Sequence, residues 1–183
     1  MMRKSRDLAE SEPAGASDGS SRVGIGPGDQ GRPGPRWSRC LATLGGVGRL
    51  PVAPGSWGAL VAVPFGVVFG ALPWPWRVAG CVLLTALATW AVSRYLGSST
   101  HQDPQEVVLD EFVGCLITLC WIPVEWVWLA AGYGLFRLFD IWKPGPIGYV
   151  DKRWHGGPGI MADDVLAGLI AGVLLAIAHA LTG

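Results

Sequence analysis

Charge is scarce in this chain. Only 15% of its 183 residues are Asp, Glu, Lys or Arg, whereas a soluble domain usually carries about 25%. The charges also balance, with 14 basic residues against 14 acidic ones. No net positive field recommends a nucleic acid as partner. Cysteine is sparse too. Cys40, Cys81, Cys115 and Cys120 form no C-x-x-C pair, which argues against a zinc site and against a disulfide framework. They read as small buried hydrophobes. The glycine-rich loop before residue 58 is not followed by G-K-[ST], so it is not a Walker loop.

Apolar residues are plentiful. They make up 50% of the chain, and there are 10 tryptophans. Residues 1–36 are rich in Gly, Ser, Pro and charge, and are expected to be a disordered extension ahead of a domain at 37–183. Five apolar segments lie in that domain: Ser56 to Trp76, Val78 to Tyr95, Pro104 to Ile122, Val124 to Trp142 and Ile160 to Leu181. Each is close to the roughly 20 residues a spanning helix needs. Gly66 with Gly70, and Gly168 with Gly172, carry the small-xxx-small spacing of close helix contacts. The expected fold is all-α: a polytopic helical membrane protein with about four to five membrane-embedded helices.

Orientation follows from the basic residues. With the N-terminus in the cytoplasm, Arg94, Arg137, Lys143, Lys152 and Arg153 fall inside and Arg77 alone falls outside, as the positive-inside rule requires. Trp74, Trp76, Trp121, Trp126 and Trp128 gather at the outer edge, and Trp57, Trp142 and Trp154 at the inner one, as an aromatic belt. The same count brings three polar stretches to the cytoplasmic face. These are the loop before the first helix, the start of the third, and the long loop between the fourth and fifth.

Those stretches hold the candidate chemistry. Asp103 and Glu106 fit a D-x-x-E capping box with Pro104 at the first helical position. Asp110 and Glu111 then fall two turns into the third helix, where capping does not account for them. Acids crowded on one helix end repel unless a divalent cation sits among them, and carboxylate oxygens suit magnesium. Arg137 and Asp140, spaced i, i+3, can pair. Lys143 is placed at the inner interface, free to snorkel or to hold an anion. The run H-G-G-P-G is expected to be a loop in which the N–H groups of Gly156, Gly157 and Gly159 converge on an anion, with Lys152, Arg153 and His155 beside it. Asp163 and Asp164 follow in the first turns of the last helix. Two acid pairs, several cations and two glycine-rich loops on one face fit a metal-dependent enzyme acting on a phosphate at a membrane surface. A non-enzymatic divalent-cation-binding membrane protein is the reading from another class.

L-A-T at Leu41, P-G-S-W-G at Pro54, L-D-E-F-V-G at Leu109, F-R-L-F-D-I-W-K-P-G-P-I at Phe136 and H-G-G-P-G-I-M-A-D-D at His155 resemble the phosphatidylglycerophosphatase A family over about residues 40–182. Ser56 stands where the family commonly has Thr. The resemblance implies a magnesium-dependent lipid phosphatase of the bacterial inner membrane, multi-pass, with its active site facing the cytoplasm. Its substrate is phosphatidylglycerophosphate and its product phosphatidylglycerol. On this reading Asp110, Glu111, Asp163 and Asp164, with Asp140, hold one or two magnesium ions. Arg137, Lys143, Arg153, Gly156 and Gly157 bind phosphate, and His155 is either the acid for the leaving alkoxide or a phosphate hydrogen-bond donor. A different lipid phosphate, such as phosphatidic acid, is the nearer alternative. The signatures of aspartyl-phosphate and histidine-nucleophile phosphatases are absent, which favours direct attack by water. Nothing in the sequence sets an oligomeric state.

Overall fold

A computed structural model describes residues 34–97 and 104–182. Among them there is no strand. Seven α-helices form the fold: α1 (Arg36–Ala42), α2 (Pro54–Gly70), α3 (Trp74–Leu96), α4 (Leu109–Leu119), α5 (Trp126–Trp142), α6 (Pro146–Arg153) and α7 (Gly156–Thr182). A 3-10 turn, Leu44–Arg49, joins α1 to α2. Prolines start several helices: Pro54 in α2 and Pro146 in α6 stand in the first turn, where a missing N–H costs nothing. Left-handed residues end or divide them: Gly97 follows α3, Lys143 follows α5 with φ 47°, and Gly145 precedes α6 with φ 53°.

All five apolar segments are helical, but their lengths differ from the expected spans. Among the described residues only α3 and α7 are long and apolar enough to cross a membrane. α4 has 11 residues, about 16 Å at 1.5 Å per residue, and does not cross a bilayer core of about 30 Å. It is instead the centre of the bundle. Nine of its residues are buried, and α2, α3, α5 and α7 all pack on it. A helix that is apolar all round needs such a surround. α1 and α6 were not among the expected segments, because short helices rich in basic and aromatic residues lack an apolar run.

Both small-residue pairs face α4 or its ends. A side chain at Gly168 would strike the Gly114 carbonyl, and one at Gly172 would strike the Trp121 ring. Gly66 lies on Leu119 and Gly70 on Val124. Thr118 seals the α4–α7 contact, its hydroxyl lying 3.2 Å from the carbonyl oxygens of both Gly114 and Gly168.

Glu106 does not stand in a helix, as the expected capping box would place it. Asp103 and residues 1–33 lie outside the described residues, so neither that cap nor the N-terminal extension is described here. The chain at 104–108 is not helical, because its polar groups find tertiary partners. The Val108 N–H donates to the Ala42 carbonyl at 3.0 Å. Glu106 accepts hydrogen bonds from the Tyr95 hydroxyl, from Arg39 Nη2 at 3.2 Å and from Arg49 Nε at 3.3 Å. It therefore ties α1, the 3-10 turn and α3 to the entrance of α4. Trp37 on Trp90, with ring centroids 4.8 Å apart, completes the docking of α1 on α3.

The Tyr95 hydroxyl, followed by the two arginines, holds the Glu106 carboxyl below its ordinary pKa. A lowered folded-state pKa contributes stability that is present above the unfolded-state value and lost as pH falls through the folded one. Glu106→Gln is therefore expected to cost about 0.5–1 kcal/mol at pH 7, given solvent screening. Thermal melts should show the gap from wild type closing as pH falls below the ordinary glutamate value of about 4.3.

Candidate active site

The two acid pairs exchange the places expected of them. Because α4 starts only at Leu109, Asp110 and Glu111 sit in its first turn, where the helix dipole favours acids. The run G-G-P-G is not a loop but the opening of α7. Gly156, at φ 72°, turns the chain into the helix, and Pro158 needs no N–H in a first turn. Asp163 and Asp164 are therefore about two turns inside α7 and are buried, at 5% and 3% exposure.

These ends meet at a cavity of about 560 Å³. Asp110, Glu111, Arg137, Asp140, Lys143, His155, Gly156, Asp163 and Asp164 all line it. Gly157 does not, because it is buried against Ser93 of α3. Arg153 does not either: it is exposed, and its guanidinium lies over the Tyr149 ring, 4.9 Å from the centroid. These two expected phosphate ligands are thus engaged elsewhere. α6 is the cause, since it turns Arg153 along its own outer face.

Within the cavity the acids divide into two groups. Asp110, Glu111 and Asp164 offer ligand atoms within 4.8 Å of one another. Asp140 and Asp163 face cations instead. Asp140 pairs with Arg137 Nη1, and Asp163 Oδ2 accepts from Lys143 Nζ at 2.6 Å. Lys143 also donates to Asp151 at 2.5 Å. Burial alone would lower the Lys143 pKa. Its hydrogen bonds to Asp151 and Asp163 outweigh that and raise it above the ordinary lysine range, so the ammonium stays charged.

Three carboxylates this close, two buried and one half-buried, repel strongly. Asp110 Oδ1 and Glu111 Oε2 are buried with no hydrogen-bond partner. Unsatisfied anionic oxygens of this kind, converging from α4 and α7, form a donor set suited to a hard divalent cation. Arg137 adds a donor with no partner, its buried Nε. The cavity thus sets Arg137 and Lys143 among its carboxylates, which suits a phosphate bound beside a cation.

Two lining residues escaped sequence reasoning. Asp151 is separated from Lys143 by a turn that hides the pairing from any helical spacing. Gly55, in the first turn of α2, is the second. A Cβ there would overlap Glu111 Oε1 and stand 3.3 Å from Arg137 Nη1. The P-G-S-W-G run was its only signal, and that run reads equally as an ordinary helix start. Tyr133 holds α2 in place, its hydroxyl donating to the Ser56 carbonyl at 3.3 Å.

A family profile described as phosphatidylglycerophosphatase A matches residues 40–179. A phosphatidylglycerophosphatase A of Escherichia coli strain K12 is 40% identical over 141 residues, covering 76% of this chain and 82% of the relative. The Haemophilus influenzae protein of that name is 40% identical over 141 residues, covering 74% and 84%. A Bacteroides thetaiotaomicron relative, 40% identical over 152 residues with 78% and 94% covered, bears the name "Putative phosphatidylinositol-3-phosphatase". No solved structure gives a significant match.

The atom that a Gly55 side chain would displace is the far end of a flexible glutamate, so the fold can absorb the change while the carboxylate wall cannot. Gly55→Ala is expected to keep thermal stability within about 1 kcal/mol of wild type. Turnover should drop about 100-fold, the scale of a 1 Å misplacement of a reacting group. Melting curves and steady-state kinetics on one preparation check both.

Proposed function

This chain belongs to the phosphatidylglycerophosphatase A family and is a phosphatase, and we propose that it hydrolyses phosphatidylglycerophosphate to phosphatidylglycerol and inorganic phosphate with magnesium as cofactor. The observation that carries the cofactor reading is the convergence of Asp110, Glu111 and Asp164, with ligand atoms within 4.8 Å and two buried oxygens unpartnered. These three residues would hold the ion. A bound divalent cation supplies charge neutralisation at the phosphoryl group and activates water for attack.

The protein's own groups do the rest. Arg137, with its Nε unpartnered and Nη1 held by Asp140, offers a donor to a phosphate oxygen. Lys143 keeps positive charge in the same cavity, positioned by Asp151 and Asp163. His155, at the cavity edge, is placed to give a proton to the leaving glycerol oxygen. Asp163 and Asp140 act as positioning residues for the two cations.

A membrane setting supports a lipid substrate. α2, α3 and α7 expose Phe65, Val68, Val82, Leu83, Leu87, Val173, Leu174 and Ile177, a larger apolar surface than a soluble monomer shows. α2 and α5 have 17 residues each, about 25 Å of helix, and would complete the bundle around α4 in the bilayer. The cavity lies at the end of α3 that carries Arg94, whereas Arg77 lies at the other. By the positive-inside rule the site faces the cytoplasm of a bacterial inner membrane.

The assay is phosphate release by the protein in detergent micelles, with magnesium or with a chelator. Phosphatidylglycerophosphate, phosphatidic acid and phosphatidylinositol 3-phosphate are the substrates compared, the last because of the Bacteroides relative's name. Release from the first lipid that stops with chelator is expected. A preference for either other lipid would overturn the substrate assignment. Asp110→Asn and Asp164→Asn should each lose about 10²–10³-fold in kcat, the scale of removing one electrostatic stabiliser of a transition state. Near wild-type turnover and metal dependence in both variants would end the metal assignment.

A further inference from the structure

A second cavity, about 360 Å³, opens between α3, the end of α4 and α7. It is lined by Trp74, Val82, Ile117 and Val165, together with Cys81 and Cys120. The two sulfurs face each other at 3.1 Å, while Cys40 is exposed and Cys115 is buried apart. This pair has no part in the phosphatase site, since Cys120 is ten residues along α4 from Asp110, about 15 Å.

We propose that Cys81 and Cys120 form a dithiol site that closes to an intramolecular disulfide by exchange with a small external disulfide. The sulfurs need to approach by only about 1 Å to reach the bond length of about 2.05 Å. Arg77 of α3 ties the Cys120 backbone to that helix. The Thr85 hydroxyl donates to the Cys81 carbonyl at 2.8 Å. Arg77, one turn before Cys81, donates to the carbonyls of Cys120, at 3.5 Å, and of Leu72, at 2.8 Å. Cys120 caps the end of α4, where the chain leaves the helix and can yield. The apolar cavity gives an uncharged reagent a route to the half-buried Cys81.

The chemistry balances as two exchanges. The Cys81 thiolate attacks one sulfur of the external disulfide and releases one thiol, leaving a mixed disulfide on Cys81. The Cys120 thiolate then attacks the Cys81 sulfur and releases the second thiol. The protein loses two electrons and two protons, and the reagent takes up both. The closed ring joins α3 to α4 across 39 positions. In the orientation proposed above, this end of the bundle faces away from the cytoplasm, where such exchange runs in the oxidising direction. That reading bears only on where the oxidant comes from, and the experiment in detergent does not depend on it.

The test treats the full chain in detergent with 4,4′-dithiodipyridine, an uncharged aromatic disulfide, and reads intact mass and non-reduced peptides. The expected product carries one pyridyl adduct at exposed Cys40 and has lost about 2 Da, the two thiol hydrogens. The peptides holding Cys81 and Cys120 should be linked, and the link should vanish with dithiothreitol. Cys81→Ser and Cys120→Ser should each abolish the 2 Da loss. A Cys40 adduct without ring closure in wild type overturns the proposal, because the reagent was then active. So does a stable pyridyl adduct on Cys81, or a 2 Da loss that persists in Cys81→Ser.

Discussion

Three carboxylates whose oxygens lie within 4.8 Å cannot all stay charged in a buried site unless a cation offsets them. The α4–α7 crossing creates this crowding. Gly114 and Gly168 bring the two helix backbones into contact. Asp110 stands four residues before Gly114, and Asp164 four before Gly168. One helical turn from the closest approach, on the same faces, the two acids must meet. Glu111 joins them because Gly55 of α2 leaves room for its carboxylate. The anionic wall is thus a by-product of glycine packing, and the glycines matter as much as the acids.

The remaining charges are arranged around that wall. Asp140 and Asp163 each pair with a cation, Arg137 and Lys143, which the trio lacks although all five line one cavity; Asp163 Oδ1 is itself buried without a partner. Removing either cation would add another uncompensated acid to the group. The same pairs keep Arg137 and Lys143 in the cavity beside the trio.

The short α4 explains how a polar site persists beside so apolar a bundle. A helix of 11 residues, wrapped by four others, can end below the surface. Its N-terminal acids then lie at the floor of a cavity rather than on an exposed end. Glu106 and its three partners anchor the chain just before α4 and hold that depth.

Much was legible in the residues themselves. Apolar runs marked five helices because burial or lipid demands them. Acids stranded in a greasy sequence marked a site because charge there needs a partner. Local pattern also placed nearly all the cavity's polar groups on one face. What it did not decide was which groups touch. Glu106 left its expected helix for partners in α1, the 3-10 turn and α3, and the glycine run at 156 became helix with α3 and α6 packed against α7. Arg153 and Gly157 were turned from the cavity by neighbours invisible to spacing. Gly55 and Asp151 entered it the same way. Composition and periodicity determine which segments are helical and which charges are costly. Only the crossing of distant helices decides which acids are crowded together, because repulsion and packing act over a few ångströms in space and not along the chain.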